Sequence, residues 1–399
     1  MAHGMQIATI RLIVLILALL AQVYLFVHIR RAIKSLPVSG GFKSCAVVLA
    51  GTAIVVLFSA NRYFTFNPVT WVEPPEVSRV VLVYASAVWT FGSILSALVL
   101  FAVHVAGRLG RTAAGIFHRV SRIEPAPCDP GRRRFLKSGL YGIAAAPFAF
   151  SGYGAVFTSK AFEVRELALP FGIPLRVVQL TDIHAGVYMT RQEIRRLADL
   201  VIALQPDLFV LTGDFISNSV KFLPGCLEEM ARVRARCGTF ASLGNHEHWY
   251  GQSSDIRNIF SRYGIPLLLN SHKIVRSGRG DFAVAGIDDL RSGDPDLDAA
   301  LQGLDSSLPV ILLSHRPEIF PVAAAHGIPL TLAGHYHGGQ IKLSLPTGDL
   351  SLAHLVTPYP EGLYRLDASN LYVSRGIGTT FTPVRLNVPP EITLIHLSA

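Results

Sequence analysis

The sequence predicts a layered α/β domain preceded by an α-helical transmembrane module. Long apolar runs without acidic residues lie within residues 1–159, as membrane-spanning helices require. From about Arg176 onward, short β-branched or Leu-rich runs alternate with amphipathic stretches such as Arg191–Leu204, which is typical of α/β folds. A chain of 399 residues with 50% apolar and 16% charged residues cannot be a disordered chain, a collagen-like fibre or a small disulfide scaffold.

The positive net charge of +9 is confined to the first part of the chain. Residues 1–159 hold 15 of the 36 Lys and Arg residues but only 4 of the 27 acidic residues, so their formal charge is +11 and that of the remainder is −2. No recognition motif accompanies the basic residues, and a near-neutral remainder is unsuited to tracking a phosphate backbone. We therefore expect no nucleic-acid partner.

Three apolar runs predict a transmembrane module of about three helices in residues 1–107. They are Leu12–Val27, Cys45–Ala60 and Val80–Val105. A buried core helix is the alternative for each run. It is weakest for the third, because buried soluble helices rarely run so long without a charge. The bilayer is accordingly an expected partner of this protein.

The basic residues between these runs predict the topology. Ile29–Lys43 carries four basic residues and no acid, whereas Asn61–Arg79 carries two of each sign. The positive-inside rule then places the first loop and a basic linker, residues 108–138, in the cytoplasm, with the N-terminus outside.

Residues Gly131–Lys137, with the sequence Gly-Arg-Arg-Arg-Phe-Leu-Lys, resemble a twin-arginine export motif, although the motif is internal here. Residues 139–159 follow, with the apolar run Leu140–Phe157, and form either a signal-like segment or a fourth membrane helix. Both interpretations carry residues 160–399 to the outer face. A third, an interfacial helix, would leave them in the cytoplasm.

Five strand-like runs in the second part each end in a polar cluster. The runs are Leu175–Leu180, Leu208–Leu211, Thr239–Leu243, Val310–Leu313 and Ile328–Leu332, and the clusters are Thr181–His184, Thr212–Asp214, Gly244–Glu247, Ser314–Arg316 and Gly334–Gln340. Carboxylates, imidazoles and an amide oxygen are suited to Mn, Fe or Zn. Functional loops of α/β sheets follow strand ends, so the clusters predict a metal site.

The ordered series Asp-x-His, Gly-Asp, Gly-Asn-His-Glu, His and Gly-His-x-His resembles the calcineurin-like metallophosphoesterase superfamily over residues 176–340. Together with the twin-arginine-like segment, it is most similar to the membrane-associated or exported bacterial branch. The resemblance implies a layered β-sandwich flanked by helices over residues 160–399, a binuclear metal centre and hydrolysis of phosphoric esters.

The resemblance also implies roles for individual residues. Two divalent ions would bind, one to Asp182, His184, Asp214 and His337, the other to Asn245, His315 and His335, with Asp214 bridging both. His246 would stabilise the transition state or protonate the leaving oxygen. Glu247 would orient His246 or remain a solvated carboxylate.

Further candidates come from the flanking residues. His248, Arg316 and Arg375 are candidates for substrate contact, with a surface position as the alternative. Gln340 is a candidate for supporting its loop, and Trp249 and Tyr250 for stacking on a sugar or base, edging a membrane-facing groove or ordinary packing. Cys226 and Cys237 would be able to form a disulfide in an exported domain.

The expected function is that of a phosphoesterase in a bacterial inner membrane, multi-pass, with a periplasmic catalytic domain and a phosphoester substrate, lipid-linked esters included. Two alternatives stay open: a phosphatase or nucleotidase for soluble substrates, and a non-catalytic metal-binding membrane scaffold. A purely structural metal site has no use for an additional unliganded imidazole, so His246 disfavours the scaffold.

Overall fold

The computed structural model describes residues 2–66, 79–121, 129–251, 253–346, 348–380 and 382–399. The chain divides into two compact units. The first lies within residues 1–153 and is helical; the second contains residues 154–399 and holds all of the described β-strands. Each unit is built on its own hydrophobic clusters.

The first unit is formed by long apolar helices: α1 (Ala2–Lys34), α2 (Gly40–Phe66), α3 (Ala85–Ser121, preceded by a π-helical turn Arg79–Tyr84) and α4 (Pro130–Val156). Four segments that overlap these helices are long and apolar enough to cross a membrane: Leu12–Lys34, Gly40–Phe64, Val81–Phe117 and Ser138–Lys160. The predicted N-terminal helices apolar enough to span a bilayer are therefore confirmed. The helices α1 and α2 extend beyond the predicted apolar runs at both ends, α3 extends only beyond the C-terminal end of its run, and α4 only beyond the N-terminal end.

Polar side chains link these helices to one another. The Gln22 side chain donates a hydrogen bond to Ser93 at 2.6 Å and accepts one from the Trp89 indole at 2.9 Å. Ser96 donates to the carbonyl oxygen of Ala144 at 2.6 Å. These hydrogen bonds join α1, α3 and α4 and satisfy polar side chains that the packed helices bury.

The second unit contains thirteen described strands and six described α-helices. The strands are β1 (Glu163–Pro170), β2 (Leu175–Leu180), β3 (Leu208–Thr212), β4 (Thr239–Ser242), β5 (Ser271–Arg276), β6 (Asp281–Gly286), β7 (Val310–Leu313), β8 (Leu330–Ala333), β9 (Lys342–Leu345), β10 (Gly348–Ser351), β11 (Gly362–Leu366), β12 (Ser369–Val373) and β13 (Glu391–Ser398). The helices are α5 (Arg191–Ala203), α6 (Leu223–Met230), α7 (Asn245–Tyr250), α8 (Ser253–Arg262), α9 (Leu297–Leu301) and α10 (Phe320–Ala325).

Eleven strands form two sheets, and β9 pairs with β10 in a separate hairpin. The strand order is β1-β13-β2-β3-β4 in the first sheet and β11-β12-β8-β7-β6-β5 in the second. β2, β3 and β4 are mutually parallel, as are β6, β7, β8 and β12. Parallel pairing brings the carboxyl ends of neighbouring strands to one edge of each sheet, which is where the polar clusters of the sequence begin.

Alternate side chains along the strands explain the layers. Val177 and Val210 of the first sheet pack with Val284 and Leu332 of the second, whereas Phe209 faces the helical side of the first sheet. Residues of α5, α6 and α8 cover that side, and residues of α9 and α10 cover the outer side of the second sheet. The predicted β-sandwich flanked by helices is therefore confirmed.

The two cysteines considered for a disulfide do not pair. Cys226 on α6 is a free thiol buried in the cluster outside the first sheet, whereas Cys237 is a free thiol packed against the cluster between the sheets. The possible bridge is therefore wrong, because sequence proximity does not bring the two thiols to the same layer.

The contribution of the packing between the two sheets to stability can be tested by substitution. Replacing Leu332, which is fully buried there, by Ala should destabilise the second unit by about 2–5 kcal/mol, because it removes apolar contacts and leaves a cavity. Thermal unfolding of the full chain in detergent should show a midpoint lowered by about 4–15 °C. Leu366→Ala, at an exposed position, is the control and should leave the midpoint within a degree or two. Equal midpoints for both variants would contradict this packing.

Candidate metal centre

Nine polar side chains identified in the sequence follow the carboxyl ends of five strands. They are Asp182 and His184 after β2, Asp214 after β3, Asn245, His246 and Glu247 after β4, His315 after β7, and His335 and His337 after β8. Three strands belong to the first sheet and two to the second. The loops of the two sheets therefore meet at one edge of the sandwich.

The first group of side chains consists of Asp182, His184 and His337. The His337 Nε2 atom lies 3.3 Å and the His184 Nε2 atom 3.9 Å from the Asp182 Oδ1 atom. The two imidazole Nε2 atoms are 3.1 Å apart. The Asp182 Oδ1 atom is buried and has no hydrogen-bond partner in the described part of the chain. A buried, unpartnered carboxylate oxygen facing two imidazole nitrogens fits a divalent cation.

The second group consists of Asp214, His315 and His335. The Asp214 Oδ2 atom lies 3.3 Å from the His315 Nε2 atom, which is 3.1 Å from the His335 Nδ1 atom. The same Asp214 oxygen lies 3.6 Å from the His184 Nε2 atom of the first group. Asp214 is therefore shared by both groups, and the ligand atoms within each group lie within 4.8 Å of one another.

The backbone at these positions has an unusual conformation. The φ angles of Asp182, His184, Asp214, His335 and His337 are +54°, +50°, +54°, +76° and +52°. Non-glycine residues in this left-handed region cost about 1–3 kcal/mol each and cluster at functional sites. In this backbone conformation, the carboxylates and imidazoles of the separate loops lie close to one another.

Two glycines allow the loops after β3 and β4 to approach closely. A Cβ atom on Gly213 would lie 2.6 Å from the amide nitrogen of Gly244, and one on Gly244 would lie 2.2 Å from the Asp214 Oδ1 atom. A larger residue at Gly244 would collide with Asp214, and one at Gly213 would collide with the Gly244 backbone and the His315 ring.

The buried carboxylates and imidazoles shift each other's titration. Burial favours a neutral Asp214, but His315 and His246 outweigh it and hold the pKa of Asp214 well below its ordinary value. Burial likewise disfavours a charged His315, but the Asp214 and Asp182 carboxylates raise its pKa to about 10. The site is thus built to hold positive charge beside Asp214.

Two other imidazoles are kept neutral. Burial, followed by the neighbouring His246, holds the pKa of His184 well below its ordinary value. Burial, His315 and Arg316 do the same for His335. A neutral imidazole presents a nitrogen lone pair, which is the form that binds metals.

The His246 ring is fixed in orientation. Its Nδ1 atom donates a hydrogen bond to the carbonyl oxygen of Ser217 at 2.5 Å, and its Nε2 atom lies 4.0 Å from the Asp214 Oδ2 atom. The Trp249 ring packs beside it, with 5.0 Å between ring centroids. The free Nε2 atom therefore points toward the centre.

Comparison with known proteins agrees with this arrangement. Residues 175–339 match the family model described as calcineurin-like phosphoesterase. A Danio rerio protein named transmembrane protein with metallophosphoesterase domain is 30% identical over 320 residues, which cover 75% of this chain and 70% of that protein. The chain belongs to the calcineurin-like metallophosphoesterase family. It is an enzyme that hydrolyses phosphoric esters.

Two bacterial relatives extend the similarity. The metallophosphoesterase YkuE of Bacillus subtilis is 29% identical over 286 residues, 67% of this chain and 98% of the relative. The phosphodiesterase YaeI of Escherichia coli is 28% identical over 275 residues, again 67% of this chain and 98% of the relative. This metallophosphoesterase is therefore similar to both relatives over nearly their full lengths.

Glu247 of the metallophosphoesterase is fully buried and contacts the backbone instead of the described pocket. Its carboxylate accepts hydrogen bonds from the amides of Asp214, Phe215, Ile216 and Gly244 at 2.8–3.1 Å. Burial rules out the solvated carboxylate of one expectation, and none of the described hydrogen bonds of Glu247 reaches the His246 ring, which the other expectation had it orient. Glu247 is instead a positioning residue for the loop that carries Asp214.

Of the two arginines considered for substrate contact, Arg316 is the one that contacts residues of the centre. Its guanidinium donates to the Asn245 Oδ1 atom at 3.2 Å and lies 2.5 Å from the His335 Nε2 atom. The buried Asp289 carboxylate holds it through the Nε atom at 2.9 Å. Arg375, by contrast, pairs through its Nε atom with the Glu391 carboxylate at a distance of 2.8 Å. It is not among the residues that line the pocket described below.

The remaining candidates are placed around the centre. His248 pairs with Asp288 at 2.6 Å. The Gln340 side chain donates a hydrogen bond to the Thr380 carbonyl oxygen and accepts one from the Thr380 amide. These bonds join its loop to the loop of Thr380, which agrees with the supporting role expected for Gln340. The Tyr250 ring lies 5.8 Å from the His246 ring and belongs to the packing of the first sheet's outer side.

Two residues near the ligands were missed by the sequence analysis. The Thr380 hydroxyl lies 3.1 Å from the Nε2 atoms of both His184 and His337. The guanidinium of the fully buried Arg385 lies 3.1 Å from the His337 Nδ1 atom. The sequence does contain a sixth strand-like run, β12, which is followed by a glycine-rich loop. That loop contains no Asp or His, so no metal-ligand pattern marks it as part of the site.

A pocket of about 320 Å³ is lined by five of the nine polar side chains identified above. Asp214, Asn245, His246, His335 and His337 form its floor, and the other lining residues are Trp249, Tyr336, Gly339, Gln340, Leu352, Ala353, Val356 and Thr380. The pocket therefore combines a polar floor with walls that are largely apolar.

The placement of Glu247 makes a prediction. Glu247→Gln replaces one acceptor oxygen by an NH₂ group that faces backbone donors, so it should destabilise the protein by about 2–3 kcal/mol and displace Asp214. We expect a lower unfolding midpoint together with reduced bound Mn²⁺, measured by elemental analysis of the full chain.

Glu228→Gln, at a half-exposed position on α6, is the matched control and should change neither quantity. Wild-type stability and metal content in Glu247→Gln would refute the positioning role.

Proposed function

We propose that this metallophosphoesterase is a membrane-anchored enzyme with a binuclear metal centre, which hydrolyses a phosphodiester, pyrophosphate or phosphomonoester with water as the nucleophile. The observation that carries this proposal is the position of Asp214, whose Oδ2 atom lies 3.6 Å from His184 and 3.3 Å from His315. Two divalent ions, when bound, polarise the phosphoryl group and lower the pKa of water.

The residues of the two groups divide between the two ions. Asp182, His184 and His337 would hold one ion and Asn245, His315 and His335 the other, with Asp214 shared. Oxygen and imidazole ligands of this kind suit Mn, Fe or Zn. Arg316 contributes by fixing the Asn245 amide and the His335 ring, and Glu247 by fixing the loop of Asp214.

His246 is free for proton transfer, because none of its described hydrogen bonds occupies the Nε2 atom. The bond from Nδ1 to the Ser217 carbonyl directs Nε2 toward the pocket, so a protonated ring can donate to a phosphoryl or leaving-group oxygen there. This arrangement favours an enzyme over a structural metal site.

The ligand and proton-transfer roles can be separated experimentally. Asp214→Asn and His335→Ala should abolish Mn²⁺-dependent hydrolysis of an aryl phosphate ester, because each removes a metal ligand. His246→Gln should lower kcat by about 10²–10⁴-fold while bound Mn²⁺ stays at the wild-type level. Kinetics and elemental analysis of the same preparations measure both effects.

His326→Gln, on the surface at the end of α10, is the control and should retain full activity. Metal-dependent turnover in Asp214→Asn, or loss of bound metal in His246→Gln, would contradict the assignment.

For localisation, we propose a bacterial inner membrane with the catalytic domain on the periplasmic side. The domains would be a transmembrane module at 1–107, a cytoplasmic linker at 108–138, a fourth membrane or signal-like segment at 139–159 and the binuclear phosphoesterase domain at 160–399. The basic loop Ile29–Lys43 and the basic linker support this orientation through the positive-inside rule.

Reporter fusions test the orientation. A β-lactamase fused after Ala399 should confer ampicillin resistance, because it does so only outside the cytoplasm, whichever export route carries it there. Fusions after Lys43 should show the opposite pattern and serve as the internal control. A reporter after Ala399 that works only in the cytoplasm would refute the proposed orientation.

A further inference from the structure

An exposed apolar surface lies beside the metal centre. We call it the apolar rim, and it consists of Leu343 on β9, Leu350 on β10, and Leu352, Leu355 and Val356 in the segment after β10. Leu352, Leu355 and Val356 are 77%, 76% and 67% exposed, although each is large and aliphatic. Contiguous exposed apolar patches on folded proteins mark interaction sites.

The apolar rim is continuous with the active-site pocket. Leu352 and Val356 line the same pocket as Asp214, His246 and His335. Trp249, which is 37% exposed and packs against the His246 ring, also lines this pocket. A ligand whose phosphoryl group reaches the pocket floor therefore has apolar side chains beside it on the way out.

The apolar rim is held by the metal-binding loop itself. A Cβ atom on Gly339, two residues after His337, would lie 2.7 Å from the Ser351 side chain and 3.3 Å from that of Ala353. Ser351 and Ala353 are buried, while Leu352 between them points outward. The glycine thus lets the base of the apolar rim pack directly on the loop that carries His337.

The base of the hairpin is anchored as well. The Lys342 amide donates to the Leu386 carbonyl, the Asn387 side chain donates to the Lys342 carbonyl at 3.0 Å, and the Lys342 ammonium pairs with Glu361. Ordered secondary structure therefore presents these aliphatic side chains at a fixed position beside the catalytic pocket.

The composition of the apolar rim favours hydrocarbon over a protein surface. Residues 350–356 contain four Leu or Val side chains, no aromatic residue and no Lys, Arg, Asp or Glu. Protein interfaces rely on Trp, Tyr and Arg, with Leu and Val under-represented among their energetically dominant residues. Acyl chains need only apolar area, and four helices apolar enough to cross a bilayer keep lipids within reach of this chain.

We propose that the substrate is a lipid phosphoester whose hydrocarbon chain lies on the apolar rim while its phosphoryl group is hydrolysed at the metal centre. This inference rests on the proposed function and adds the chemical class of the substrate.

The test uses two diesters with one leaving group, hexadecyl 4-nitrophenyl phosphate and ethyl 4-nitrophenyl phosphate. In both, water attacks phosphorus, the bond to the nitrophenyl oxygen breaks, and the alkyl phosphate, nitrophenolate and one proton are released. The full chain is assayed with Mn²⁺ at one fixed concentration of dodecyl maltoside. We expect kcat/KM for the hexadecyl ester to exceed that for the ethyl ester at least 50-fold.

The decisive variant replaces Leu352, Leu355 and Val356 by Ser together. The ratio of the two kcat/KM values should fall at least tenfold, and Met at all three positions should restore most of the ratio. The matched control replaces Leu200, Ile274 and Val322, which are exposed and do not line the pocket, by Ser; it should keep the wild-type ratio and activity.

The possible results of these assays have different consequences for the lipid inference and for the proposed function. A wild-type ratio in the triple Ser variant would overturn the lipid inference and leave the proposed function standing. An unchanged ratio accompanied by loss of self-association, measured by sedimentation, would identify the apolar rim as an interface between copies and also overturn it. Failure of the wild-type protein to hydrolyse either ester with Mn²⁺ would overturn the proposed function and this inference with it.

Discussion

The structure depends on the burial of two carboxylates among imidazoles at the edge of the sandwich. Asp182 and Asp214 are almost inaccessible to solvent, where an isolated carboxylate would be protonated. Neighbouring imidazoles hold both aspartates charged by lowering their pKa values, and Asp214 is shared by the two groups of ligands. The strands, the loops and the pocket all serve to keep positive charge close to these two carboxylates.

The need to keep these carboxylates buried and close to the imidazoles explains the unfavourable backbone conformation around them. Five ligand residues have left-handed φ angles, and Gly213 and Gly244 stand where any side chain would collide with the neighbouring loop. Such a geometry persists only where its surroundings are rigid. The apolar layer between the sheets fixes the strand ends, and Glu247 fixes the loop after β3 through four backbone amides.

The sequence predicts the strand-end clusters well, because strand, loop and ligand are adjacent in the chain and their residue types are distinctive. It predicts poorly what depends on contacts between distant segments. Thr380 and Arg385 approach His337 because β12 pairs with β8. Glu247 can accept hydrogen bonds from the amides after β3 because β3 pairs with β4. The apolar helices of the first unit are predictable from composition, but their ends are not.

We propose that Asp214 is shared by two metal ions. The most direct measurement is anomalous X-ray diffraction near the manganese absorption edge from crystals of the full chain grown with Mn²⁺. We expect two anomalous peaks, one on each side of the Asp214 carboxylate, the first beside Asp182 and His184 and the second beside His315. A single peak in wild-type crystals at saturating Mn²⁺ would contradict it.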